Sequence, residues 1–293
     1  MLWIVFTLVA MLLWSAVNIL DKYIIGHELR DPILVTTIFG FSISLLFIFL
    51  GLFTGAIIIP VKYMLLSMLG GLVYATAIIF YYSAMKKIEV SRIVPIIATE
   101  PLIIAIVAFF LFGESLKLIQ YIGIGLIVFG AILITHKKYG DKVNMHKFYA
   151  MAFLCTLLFG LRNILIKYVT IGVDFWPMLF WLGVGMFIAP LILLFFHHPH
   201  IREQAKKGVL HLCLTALLSG LALIFFTKAI SIGSVSLASA LLATKPMLVF
   251  FIATFLSFFH PDIIVEKHTK KVLLKKMTAV ALIVAGGIFV LIQ

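Results

Sequence analysis

The residues of this chain that could do chemistry are few, and they stand inside stretches that are otherwise apolar. Two of them share a context: Glu100 lies in "ATEP" at 98–101 and Lys245 in "ATKP" at 243–246, each between a threonine and a proline. An acid and a base at matching places can pair, hold the two ends of a zwitterion, or pass a proton. Pro101 and Pro246 add to this. A proline inside a helix frees the carbonyl one turn earlier, here that of Ile97 or Leu242, and permits a bend beside a cavity. A third charge, Arg162, sits next to Asn163 in "LLFGLRNILIKY" at 157–168. That segment nearly repeats "LLWSAVNILDKY" at 12–23, with Asn18 matching Asn163 and Val17 standing where Arg162 stands. Trp14 lies one turn before Asn18, and Phe159 one turn before Asn163, so both segments carry a polar and aromatic stripe. Tyr74 and Tyr81 share the face of another run, where Tyr81 reads as a cavity wall and the neighbouring Tyr82 as packing.

A charged side chain at the centre of a bilayer costs roughly 2.5–3.5 kcal/mol on insertion scales, so such groups face a cavity or one another. Glu100 and Lys245 are therefore expected to share a central site, with substrate binding favoured over a purely structural bridge. Arg162 is expected either to line that cavity or to pair with Glu100. The candidate substrate-binding set is Glu100, Lys245, Arg162, Asn163, Asn18, Trp14 and Tyr81, with Pro101 and Pro246 as hinges. Nothing here assembles a catalytic set. His197, His198 and His200 are split by Pro199 in a short loop and read as interfacial rather than metal-binding, and Cys155 and Cys213 read as packing residues. No enzyme, metal or cofactor is expected, apart from a coupling proton that Glu100 could carry.

The elements that position these residues follow from composition. A chain of 293 residues that is 64% hydrophobic and 12% charged, with a mean hydropathy of +1.23, lacks the polar surface of a water-exposed globule and reads as an integral membrane protein. Ten apolar runs are long enough for membrane helices: 2–21, 33–53, 63–85, 90–112, 118–135, 148–169, 174–196, 208–230, 235–258 and 277–292. The first has no basic leader or cleavage site and reads as span 1 rather than a signal peptide. A shift of 145 residues lays the second half on the first, from Asn18, Lys22 and Tyr23 on Asn163, Lys167 and Tyr168 to Ala98, Thr99 and Pro101 on Ala243, Thr244 and Pro246. Near the C-terminus the shift becomes 156, which puts an insertion of 11 residues within 259–276.

Five spans per half is an odd number, so the second copy enters the membrane with opposite orientation. The fold class is thus all-α and integral to the membrane, ten helices as two inverted five-helix repeats. Residues 1–138 form the first repeat, 139–147 a cytoplasmic linker and 148–293 the second repeat. Most of the 23 Lys and Arg fall on one side of this arrangement, which puts the basic loops in the cytoplasm and both termini outside. The net charge of +12 is then explained by anionic headgroups, without nucleic acid. "FFHPDIIVEKHTKKVLLKKM" at 258–277 reads as an interfacial helix on that lipid surface.

The pattern resembles the EamA branch of the drug/metabolite transporter superfamily. The likeness rests on the two opening segments at 12–23 and 157–168, on "FFLFGESL" at 109–116 and on "GIGLIVFGAILI" at 123–134. The second half has "LSFFHPD" where another "FGE" would stand, so the resemblance assigns Glu114 no paired role, and it reads as a charged turn. The resemblance implies a basket of helices with a cavity bounded by spans 1, 3, 4, 6, 8 and 9 and with spans 5 and 10 at the rear.

The function expected is secondary transport by alternating access in the plasma (inner) membrane. The substrate expected is a small polar metabolite, an amino acid or similar zwitterion, with its ammonium at Glu100 and its carboxylate at Arg162 or Lys245, and the direction expected is export. An organic anion or phosphorylated metabolite is the alternative, because the bases in this set outnumber the acid. A membrane accessory subunit, scaffold or enzyme is the alternative of another class. Oligomeric state is not legible.

Overall fold

A computed structural model describes residues 1–29, 31–55, 57–88, 90–135, 146–196, 206–259 and 270–292. These form helices and no strand: α1 Leu2–Tyr23, α2 Pro32–Thr54, α3 Val61–Met85, α4 Val90–Ile97, α5 Glu100–Phe112, α6 Leu118–Thr135, α7 His146–Gly172, α8 Phe175–Phe196, α9 Lys206–Ile232, α10 Val235–Leu242, α11 Lys245–Phe259 and α12 Lys270–Leu291. A π-helical turn, Ile24–Glu28, extends α1.

Among the described residues eight helical stretches are long and apolar enough to cross a membrane, two of them uniting α4 with α5 and α10 with α11, and two shorter apolar helices lie at Leu118–Leu133 and Met277–Leu291. The surface agrees with that setting: Phe53, Phe110 and Phe196 point outward, while Asn18, Asp21, Glu100, Arg162 and Asn163 are buried. In hydrocarbon this distribution is the stable one, because polar groups find partners only inside the bundle. The chain is a multi-pass membrane protein.

Local sequence explains the boundaries. Asp31 caps α2 by accepting from the Ile33 amide at 3.0 Å, with Pro32 at the first helical position. Gly55 and Gly113, with φ of 69° and 65°, end α2 and α5 in the left-handed conformation that only glycine adopts without strain. Helices 4 and 9 of the sequence reading are each broken in two rather than continuous. The breaks fall at Ala98–Thr99 and Ala243–Thr244, and in each the threonine hydroxyl donates to a carbonyl of the preceding turn, Ile96 at 2.7 Å and Leu241 at 2.8 Å. Pro101 and Pro246 cannot supply the amide that would carry the helix through. The last helix begins earlier than expected. Lys270 and the following basic residues are its first turns, so 270–277 is continuous with the last helix rather than a separate element, while 260–269 lies outside the described residues. So does the histidine cluster at 197–200.

The principal packing partners are α1 with α9, α3 with α7, α2 with α8 and α6 with α12, joined by α2 with α9 and α3 with α8. Glycines let backbones meet. A Cβ on Gly123 would come 2.7 Å from the Gly286 carbonyl oxygen where α6 crosses α12, and α3 meets α8 where Gly71 and Gly185 face backbone. Two lysines tie helices together in the same way. Lys22 donates to the carbonyls of Met85 and Ile88 at 2.7 and 3.0 Å, and Lys167 to those of Ile230 and Gly233 at 3.1 and 2.6 Å. Elsewhere Glu114, expected as a plain turn residue, reaches from the end of α5 to the start of α10. It accepts from the Val235 and Ser236 amides at 3.0 and 3.2 Å and from the Ser234 and Ser236 hydroxyls, both at 2.7 Å.

Candidate functional site

A cavity of about 70 Å³ lies where the two broken helices meet α1, α3, α7 and α9. A single buried water needs roughly 10–15 Å³ on this measure, so the space suits a few waters or a compact solute. All seven candidate binding residues line it: Trp14, Asn18, Tyr81, Glu100, Arg162, Asn163 and Lys245. Ile97 and Leu242, whose carbonyls the prolines free, line it too, whereas α6 and α12 contribute nothing to its wall.

Each polar wall residue is placed by its helix. Glu100 and Lys245 open α5 and α11 directly after the breaks, so interrupting the helix is what turns them inward. Arg162 and Asn163 are adjacent on α7 and both buried. Asn163 is a bridge: its Nδ2 donates to Glu100 Oε1, and its Oδ1 accepts from Arg162 Nη1. Arg162 Nη2 also donates to Thr227 at 3.1 Å, and the guanidinium lies 5.4 Å from the Tyr74 ring. No ion pair joins Glu100 to Lys245 or to Arg162 among the described residues. The ammonium of Lys245 lies 5.7 Å from the Trp14 ring. That indole donates to Ser219 at 3.0 Å and meets Phe226 edge-on.

The opposite wall holds a residue absent from the sequence-based set. Asp21 is buried on α1, one turn beyond Asn18, and lines the cavity. Its Oδ1 accepts from the Tyr82 hydroxyl at 2.8 Å and its Oδ2 from Tyr81 at 3.2 Å, while Asn18 Nδ2 donates to the Tyr81 oxygen at 2.7 Å. Tyr82 therefore packs, as expected, against Phe39, but its hydroxyl also holds a carboxylate. The signal was present in "VNILDKY", where the Asn18–Asp21 spacing puts both residues on one helix face. With Asp21 counted, the wall has two acids, Asp21 and Glu100, and two bases, Arg162 and Lys245, which corrects the expectation that bases outnumber the acid.

Two wall atoms have no hydrogen-bond partner although they are buried: the acceptor Asn18 Oδ1 and the donor Arg162 Nε. In a packed interior such atoms are rare. Here both belong to residues that border open space, so a solute or ordered water can satisfy them.

Two exposed polar contacts join helices that line the cavity without themselves lining it. Where the end of α1 meets the start of α9, His211 Nδ1 lies 2.8 Å from the Glu28 carboxylate. Where the start of α3 meets the end of α7, Lys62 donates to the Tyr168 hydroxyl at 2.6 Å.

Comparison with known proteins agrees with this architecture. The family model described as the EamA-like transporter family matches residues 1–136 and 146–264. Among 29 solved chains that match is one titled only "Crystal structure of protein". It superposes with a TM-score of 0.72 at 18% sequence identity, over 98% of this chain and 95% of that one, a likeness of fold alone. No curated protein matches the sequence.

Proposed function

Because the chain belongs to the EamA-like transporter family, we propose that it is a secondary carrier for a small zwitterion, most simply a neutral amino acid. The single observation that carries this reading is the charge set of the cavity. Asp21, Glu100, Arg162 and Lys245 sum to a formal charge of zero, so a neutral solute with separated charges enters without leaving an unbalanced charge at low dielectric. An organic anion would leave an excess of negative charge there, and its case weakens with Asp21 in place. The substrate carboxylate is taken by Arg162 and Lys245 through charge-assisted hydrogen bonds, and its ammonium by a carboxylate of the wall. Trp14 and Tyr81 supply aromatic walls, and Asn18 and Asn163 orient the charges.

The mechanism proposed is alternating access. Ten crossings form two inverted repeats, residues 1–138 and 148–293, linked through 139–147, with both termini outside and the protein in the plasma membrane exporting its substrate. Several observations support the repeat. Under the 145-residue shift α1 corresponds to α7 and α3 to α9, so the α1–α9 and α3–α7 pairings are counterparts, as are the bonds of Lys22 and Lys167. The breaks before Pro101 and Pro246 serve as the hinges, and the exposed contacts Glu28–His211 and Lys62–Tyr168, each joining one half to the other, are the proposed gates.

The test is ligand-induced stabilisation of the purified protein by neutral amino acids, organic anions, phosphorylated metabolites and quaternary amines, with Lys245→Met beside the wild type. Ligand at about 100 times its dissociation constant stabilises the protein by roughly 2.7 kcal/mol. Zwitterions should stabilise the wild type and lose that effect in Lys245→Met. A response to organic anions alone would refute the zwitterion reading. No response from any class, with Lys245→Met as stable as the wild type, would favour an accessory role.

A further inference from the structure

We infer that the ammonium end of the substrate binds Asp21 together with Asn18, and that Glu100 is a positioning residue for Arg162. The inference rests on the zwitterion reading above and decides between the two carboxylates of the wall.

The two acids differ in what already holds them. Glu100 is bonded to Asn163, and Asn163 is bonded in turn to the Arg162 guanidinium, so the carboxylate belongs to a network that contains its own cation. A second cation brought to Glu100 would compete with that arrangement. Asp21 receives only two neutral hydroxyls, one on each oxygen, and no ion pair reaches it among the described residues. An ionised carboxylate offers about four lone-pair directions, so roughly two stay open.

The neighbouring orphan atom completes the site. Asn18 spends its amide nitrogen on Tyr81, which leaves Oδ1 as a buried acceptor without a donor. An ammonium has three donors and no acceptor, and what it lacks is what Asn18 Oδ1 and Asp21 provide. The complementary orphan on α7 is the donor Arg162 Nε, which with the Lys245 ammonium suits a carboxylate. The cavity is therefore polarised: acceptors on α1 and donors on α7 and α11. A hard metal cation fits less well, because it asks for six or more oxygen ligands, and two oxygens of this cluster already accept hydrogen bonds from tyrosines.

The arrangement also gives Tyr81 and Tyr82 work. Each donates to a different oxygen of Asp21, which fixes the plane of the carboxylate and turns its open lone pairs towards the cavity that Tyr81 lines. They are positioning residues, and their effect on binding should be smaller than that of the acid.

The experiment compares three probes on the full chain in lipid nanodiscs: a neutral amino acid that binds the wild type, the carboxylic acid formed by removing its amine, and the amine formed by removing its carboxylate. Asp21→Asn should weaken the amino acid by at least about tenfold, the loss expected for one charge-assisted hydrogen bond, while the deaminated acid binds within about threefold of wild type. Asn18→Leu and Tyr82→Phe should show the same selectivity with smaller losses. They also serve if Asp21→Asn does not fold. Glu100→Gln should weaken the amino acid and the deaminated acid together, because it acts through Arg162.

Equal weakening of both probes by Asp21→Asn, or none, would overturn the inference, as would selective loss of the amine-bearing probes in Glu100→Gln. Binding of Na⁺ or K⁺ that Asp21→Asn abolishes, with amino-acid affinity unchanged, would overturn it in favour of a metal cation. A wild type that binds no zwitterion overturns the functional reading itself, and the inference falls with it.

Discussion

Removing the Glu114 carboxylate should cost the protein about 3–5 kcal/mol, far more than a surface turn residue would. The figure follows from what the side chain satisfies. The first turn of a helix has amides with no partner inside the helix, and those of Val235 and Ser236 at the start of α10 bond to Glu114. Both residues are fully buried, so water cannot replace the lost acceptor. An unsatisfied buried donor costs about 1–3 kcal/mol, and the helix N-terminus adds a few tenths to 1 kcal/mol for a lost anion. The two serine hydroxyls can rotate to other acceptors and add little. Glu114→Ala should therefore show the full loss, and Glu114→Gln about half, because an amide keeps one acceptor and presents its NH₂ to donors. The assay is reversible unfolding in detergent or bicelles, followed by far-ultraviolet circular dichroism. A cycle with Ser236→Ala separates the local bond from general damage, and a coupling of about 1 kcal/mol is expected. Glu114→Ala within about 0.5 kcal/mol of wild type would refute the cap.

Two further outcomes follow from packing and from the polar network. Gly185→Ala puts a methyl group against the backbone of α3 near Met68 and should lower stability by about 1–3 kcal/mol, the usual effect of overpacking, measured by the same unfolding assay. Asn163→Leu removes the bridge between Glu100 and Arg162, leaving Glu100 without its hydrogen-bond donor and Arg162 with Thr227 alone, so it should destabilise the protein by about 2–4 kcal/mol and abolish ligand stabilisation, whereas a mutant with wild-type stability would show that the bridge is incidental.

The helices were legible because hydrocarbon enforces long apolar runs, and α6 was read to the residue. What hydropathy misses is a change of direction within an apolar run. The runs 90–112 and 235–258 look uniform, and only Pro101 and Pro246 mark the breaks that turn Glu100 and Lys245 inward. The start of α12 was hidden for the opposite reason, since its first turns are lysine-rich and fall below any apolar threshold. At the site, charges in apolar surroundings pointed to Glu100, Arg162 and Lys245, and all three line the cavity. Asp21 escaped because, beside Lys22, it reads as the polar flank where a span ends. In fact the π-helical turn carries the helix on to Glu28, so Asp21 is well inside it. Glu114 was recognised as a motif residue, but its partners are more than a hundred residues away, and sequence spacing does not reveal them.

The bonds of Lys22 and Lys167 bear on how such a bundle can deform. Each lysine joins helices of the same half, α1 to the end of α3 and α7 to the end of α9, with a charged donor shared by two carbonyls. The two halves meet through rings, such as Phe6 on Phe225, Phe41 on Phe187 and Tyr74 on Phe159, and through polar bonds, such as Glu114 at the start of α10 and Asn163 on Glu100. Charge-assisted bonds fix both distance and direction, while dispersion fixes little beyond proximity. Each lysine therefore pins the opening helix of its half to the end of the third, and a strain that draws those two helices apart has to break a charged bond held by two carbonyls before the packing between them yields.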